Sequence, residues 1–109
     1  MSPAARRRTE PAARGPAALY QMKVRASDAA ALMKTLGNEQ RLLVLCNLLE
    51  QPMTVGELNQ RMSLSQSALS QHLALLRRES IVVTRRAGQT IFYSLASDEA
   101  AAVMRTLYA

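Results

Sequence analysis

At 109 residues with 49% hydrophobic content, the chain is sized for one folded domain and is not a wholly disordered polymer. No apolar run approaches the ~18 residues of a bilayer crossing, and no basic start leads into an apolar stretch, so neither a membrane span nor a secretory signal is expected. The net charge of +6 is concentrated: residues 1–26 set Arg6, Arg7, Arg8, Arg14, Lys23 and Arg25 against Glu10, and residues 54–93 set five arginines against Glu57 and Glu79. That distribution is the footprint of a polyanion partner, although a solubilising surface would share it. One cysteine, Cys46, permits no internal disulfide and fits a reducing cytoplasm.

Residues 1–15, with Pro3 and Pro11 among Arg and Ala, predict a disordered basic arm. Transit peptides share that composition, but it is equally typical of a solvated arm. Pro16 suits the first turn of a helix running to Leu36. Within it Leu19, Met22, Ala26, Ala29, Met33 and Leu36 recur at alternating spacings of three and four, a narrow seam that suits a partner helix. Gly37 is expected to end this helix as a left-handed cap. Asn38 then caps NEQRLLVLCNLLEQ, which stops before Pro52 because a residue preceding proline avoids helical geometry. This second helix is apolar on nearly every side and should be central in the core.

The most informative stretch is Thr54 to Arg78. Thr54 stands three residues before Glu57, the spacing of a reciprocal capping box. Met62-Ser63-Leu64-Ser65 breaks the helix, and Ser63 or Ser65 can cap the next one. Leu69, His72, Leu73 and Leu76 follow at i, i+3, i+4, i+7 and predict a buried stripe. Ser67, Ser70, Gln71, Ala74, Arg77 and Arg78 point the other way. Short hydrogen-bonding side chains followed by two arginines suit base edges and phosphates. Next, IVVTRR and TIFYSL read as strands joined through Ala87-Gly88-Gln89, a hairpin with Arg85, Arg86 and Gln89 at its tip. Ser97 caps a last helix, DEAAAVMRTLYA, with acids in its first turn. The order α-α-α-α-β-β-α is mainly α with a small β-hairpin, a winged helix-turn-helix. Residues 1–15 are read as the arm, and residues 16–109 as the DNA-binding and dimerisation domain.

These residues resemble the ArsR/SmtB family of bacterial transcriptional repressors. The matching stretch is LMKTLGNEQRLLVLCNLL, then VGELNQRMSLSQSALSQHLALLRRESIVVTRRAGQTIFYSL, and the most specific part is SQSALSQHL followed by Leu76-Arg77. The resemblance implies a homodimer joined through first and last helices. Leu19, Met22, Ala26, Ala29 and Met33 would contribute from the first helix, and Val103, Met104 and Leu107 from the last. It further implies that Gln66, Ser67, Ser70 and Gln71 enter the major groove of an operator. Arg77 and Arg78 would hold phosphates, and Arg85, Arg86 and Gln89 would serve the wing.

Metal-sensing members place a Cys-x-Cys pair just before the acidic-Leu step, where this chain has Thr54 and Gly56 before Glu57-Leu58. Others use Asp and His across the last helix, where this chain has Asp98 and Glu99 without a histidine. One cysteine and one histidine are too few for a zinc or thiolate site, so no metal and no cofactor are expected. Val44-Leu45-Cys46-Asn47-Leu48 instead resembles the thiol-based members that sense sulfide, persulfides or oxidants, the BigR-like and HlyU-like branch. Those pair this cysteine with one near the end of the last helix. In that register the partner would fall about three residues beyond Ala109. Either the native product extends to it or the second thiol has been lost. Within these residues an intramolecular polysulfide cannot form.

Cys46 is therefore a redox-sensing candidate whose alternative is a small buried hydrophobe. His72, on the apolar stripe, is read as a hydrogen-bonded structural residue. An enzyme would need a nucleophile, a base and an orienting group within reach, and Cys46 and His72 lie on apolar helix faces. The resulting expectation is a non-enzymatic, cytoplasmic, nucleoid-associated repressor, homodimeric on double-stranded DNA and released by a small thiol-reactive inducer. The alternative is a non-inducible or non-specific DNA-binding protein of the same fold, with Cys46 purely structural.

Overall fold

The computed structural model describes residues 15–108. Apart from Gly15, the arm expected over residues 1–15 lies outside them. The chain divides into a unit ending at Leu32 and a unit from Met33 onward. In chain order the described elements are α1 (Pro16–Leu36), α2 (Glu39–Glu50), α3 (Val55–Arg61), α4 (Gln66–Arg78), β1 (Val82–Ala87), β2 (Thr90–Leu95) and α5 (Asp98–Tyr108). This is the expected winged helix-turn-helix order, mainly helical with one antiparallel hairpin.

The first unit is the helical stretch of α1 up to Leu32. Gly15 adopts φ +98 just before Pro16, and its carbonyl accepts the Leu19 amide at 3.0 Å to start the helix. Nearly every side chain of this stretch is exposed, including Leu19, Tyr20, Met22 and Val24.

In the second unit, α1 finishes with Thr35 and Leu36 buried. Gly37 corrects the expectation of a left-handed cap: it is not among the positive-φ residues. A tight three-residue turn closes here, with the Asn38 amide donating to the Leu36 carbonyl at 2.8 Å. Glycine is favoured for space, because a Cβ would stand 3.2 Å from the Met33 carbonyl oxygen. Asn38 caps α2 by accepting the Arg41 amide, and the Arg41 Nε donates to the Thr35 carbonyl at 2.6 Å. The side chain thereby satisfies a carbonyl that the end of α1 leaves open.

Helix α2 is the hub, packed against α4, β2 and α5. Its Val44, Leu45 and Leu48 are buried, while Leu43 reaches solvent and Cys46 is half-buried. The core closes with Leu58 from α3, Leu69, Leu73 and Leu76 from α4, Val82 from β1, and Ala100 and Met104 from α5. Met104, expected at a dimer seam, belongs to this core. Met104 is wholly enclosed in its own unit and presents no surface to a second copy.

Ends of the helices follow the sequence closely. Thr54 and Glu57 form the reciprocal capping box, at 3.1 and 2.9 Å. Ser65, not Ser63, caps α4 by accepting the Ala68 amide at 3.1 Å, and Ser97 caps α5 through the Ala100 amide at 3.0 Å. At the other end of α4 the Ser80 amide donates to Arg77 and the Ile81 amide to Leu76, with Ser80 at φ 60. This is a Schellman termination, with buried Ile81 and Leu76 as its apolar pair. The left-handed position is filled by serine, which pays a steric penalty that glycine avoids. Replacing Ser80 with glycine should therefore raise unfolding stability by roughly 1 kcal/mol. A denaturant midpoint no higher than wild type would contradict that strain.

Candidate nucleic-acid interface

The surface opposite the α4 leucine stripe is the candidate interface. Leu69, Leu73 and Leu76 are buried, and Gln66, Ser67, Ser70, Gln71, Ala74, Arg77 and Arg78 are all exposed. His72 departs from the expected stripe: it is half-buried at the edge between the two faces. The polar residues lie toward the N-terminus of α4 and the arginines in its last turn. The helix thus offers hydrogen-bonding groups at one end and positive charge at the other.

The hairpin supplies the second part. Its loop is two residues, Gly88 and Gln89, one shorter than the expected Ala87-Gly88-Gln89, since Ala87 pairs with Thr90. Gly88 takes φ +66 and Gln89 does not take a positive φ, the sign pattern of a type II′ turn. This register sets Arg85 across from Phe92 and Arg86 across from Ile91. Because side chains alternate along a strand, Arg85 and Arg86 leave opposite faces of the ribbon. The Arg85 guanidinium carbon sits 5.5 Å from the centroid of the Phe92 ring. Both arginines and Gln89 are exposed.

A backbone clasp fixes the hairpin to the helix-turn-helix. Met53, just before the α3 cap, forms a bridge with Tyr93 of β2: Met53 N–H donates to the Tyr93 carbonyl at 3.0 Å, and Tyr93 N–H returns to Met53 at 2.7 Å. Helix α4 also packs against β1, and α3 against both α4 and β2. Helix α4 and the hairpin are therefore held by the same elements.

Among the described residues, the one ion pair joins Arg61 to Glu50 at 3.8 Å, and Arg61 also donates to Asn47 Oδ1 at 3.2 Å. Arg61 is thereby engaged with α2, whereas Arg77, Arg78, Arg85 and Arg86 make no such pair. Four guanidinium groups without an acidic partner among the described residues flank an acid-free polar helix face. Cys46 lies on α2, away from this face in sequence, as a free thiol.

Comparison with known proteins agrees with this geometry. Residues 38–83 match the family model for bacterial regulatory proteins of the arsR family. The chain is 48% identical over 93 residues to the transcriptional activator HlyU of Vibrio cholerae, covering 85% of this chain and 86% of that protein. It is 44% identical over 91 residues to the biofilm growth-associated repressor of Agrobacterium fabrum, covering 84% and 78%. The chain belongs to the ArsR family. It is a DNA-binding transcriptional regulator and not an enzyme. The solved structure of reduced Vibrio cholerae HlyU superposes with a TM-score of 0.76 at 49% identity, covering 81% of this chain and 93% of that one. The repressor BigR of Xylella fastidiosa gives 0.74 at 43% identity, covering 82% and 91%.

Three features of the interface escaped the sequence reading. Phe92 was recoverable, because a two-residue loop at 88–89 dictates the pairing of 85 with 92. The Met53–Tyr93 clasp and the left-handed Ser80 had no local signal. If the clasp anchors the hairpin, the Met53 and Tyr93 amides should exchange with solvent as slowly as the hairpin's interior amides, measured by hydrogen exchange. Exchange as fast as that of Gln89 in the turn would contradict it.

Proposed function

We propose that the protein is a homodimeric repressor that places two α4 helices in successive major grooves of an inverted repeat, about 34 Å apart. The observation that carries this reading is the exposed α4 face, with short polar groups leading into Arg77 and Arg78 and no acid opposing them. Gln66, Ser67, Ser70 and Gln71 read base edges. Arg77 and Arg78 hold phosphates, and Arg85, Arg86 and Gln89 engage the backbone or groove edge beside the reading helix. Occupying a promoter in this way excludes polymerase, which is the sense of regulation carried by the names of the Agrobacterium and Xylella relatives. Such a protein works in the cytoplasm, on the nucleoid.

The dimer reading rests on exposed apolar side chains. In the isolated chain Leu19 and Met22 are each 58% exposed, Met33 68% and Leu107 58%, and Ala26 and Ala29 lie between the α1 members of the set. A second copy covering them removes from water the kind of surface that monomers rarely leave bare. Val103, half-buried, borders the set on α5.

Induction acts through Cys46. A low-molecular-weight persulfide transfers its outer sulfur to the Cys46 thiolate and leaves as a thiol. The enlarged group must then be housed on a helix that touches α4, β2 and α5 at once. Overpacking of that kind costs about 1–3 kcal/mol and favours a dimer whose α4 helices no longer match the groove spacing.

Two experiments test these assignments. Arg77→Ala should weaken all duplexes alike and lower the salt slope by ~1, whereas Gln71→Ala should cost ~1–3 kcal/mol at particular base pairs. A Gln71→Ala protein that loses affinity equally for every duplex would remove that residue from base reading. Separately, the specific complex with the protein's own upstream DNA should be lost on persulfide treatment and restored by a reductant. If that loss survives Cys46→Ser, the sensing role of Cys46 is wrong.

A further inference from the structure

The two wing arginines sit in unlike surroundings. Arg86 is exposed across from Ile91, itself exposed, and among the described residues it makes no cation–π contact. Arg85 lies directly across from Phe92 with its guanidinium carbon 5.5 Å from the ring centroid, inside the range of a cation–π contact. Phe92 is half-buried and Arg85 is exposed, so the guanidinium remains open to solvent beside the ring. The backbone next to it is fixed, since Tyr93 is pinned through both backbone groups to Met53. The ring is thus mounted one residue from that backbone clasp.

We propose that Phe92 is a positioning residue for DNA binding: its ring holds Arg85 extended beside the reading helix before DNA arrives. This inference rests on the DNA-contact reading of the wing. An arginine free in solvent must give up rotamer freedom when it grips a phosphate or a groove edge, and that loss is subtracted from affinity. Stacking on Phe92 takes most of that loss in the free protein. A guanidinium can stack by its flat face and still present its edge donors to an acceptor. Arg86 has no such support and is ordered only on contact. The two adjacent arginines therefore play different parts, Arg85 as a preset contact and Arg86 as an adaptable one.

The test is a double-mutant cycle on the full-length chain, read by fluorescence anisotropy at one fixed salt. The probes are its own upstream duplex and a scrambled duplex of equal length. Phe92→Leu should weaken binding to the upstream duplex about two- to fivefold, the worth of an exposed cation–π contact. Phe92→Tyr should restore it. In an Arg85→Ala background Phe92→Leu should have no further effect. An equal loss with and without Arg85, or no loss in either, overturns the proposal. A wild type that binds both duplexes equally overturns the operator reading instead, and shows this before any variant is made. Where Phe92→Leu fails to fold, NMR of the free wild type decides. Arg85 side-chain resonances shifted upfield by the ring support the inference, and unshifted ones overturn it.

Discussion

The seating of one leucine stripe determines the rest of the interface. Leu69, Leu73 and Leu76 of α4 are buried against α2 and β1. Each such side chain is worth about 1.5–3 kcal/mol in burial alone, more than any single polar contact on the opposite side. Helical geometry then leaves the facing residues no choice. With the leucines inward, Ser67, Ser70, Gln71 and Arg77 must face solvent, whatever their individual preferences. The same stripe launches the hairpin. Leu76 accepts the Ile81 amide in the Schellman turn, and Val82, the first residue of β1, is buried immediately afterwards. Reading helix and wing are thus set by one patch of packing.

Helix α2 carries the other constraint. It touches α4, β2 and α5, so a change in its packing reaches the reading helix, the wing and the last helix together. In the proposed induction, that would give a half-buried thiol at Cys46 a physical route to DNA binding. The route needs no metal. It uses the tendency of a close-packed interior to shift between arrangements and not to deform gradually.

Much of this was legible in the residues. The caps at Asn38, Thr54 and Ser97, the α1 start at Pro16, and the outward face of α4 all follow from spacing and local chemistry, and the structure places them as read. Ser65 over Ser63 was left open by sequence, since either hydroxyl fits, and the helix start decides it. The failures share a physical cause. Gly37 was given a backbone sign when its real role is to clear the Met33 carbonyl, which depends on a turn geometry that composition does not encode. Ser80 occupies a position where glycine is usual, so residue preference pointed away from it. The Met53–Tyr93 clasp joins residues forty positions apart, beyond any local pattern.

As proposed, a dimer on its operator places two copies of α4 in successive major grooves on one face of a duplex. Methylation protection on the protein's own upstream DNA tests this most directly, because it reads guanine N7 atoms on the major-groove floor. The proposed dimer should give two clusters of protected guanines about 10–10.5 base pairs apart, related by the centre of an inverted repeat. Continuous protection, or a single cluster without a symmetry mate, would contradict it.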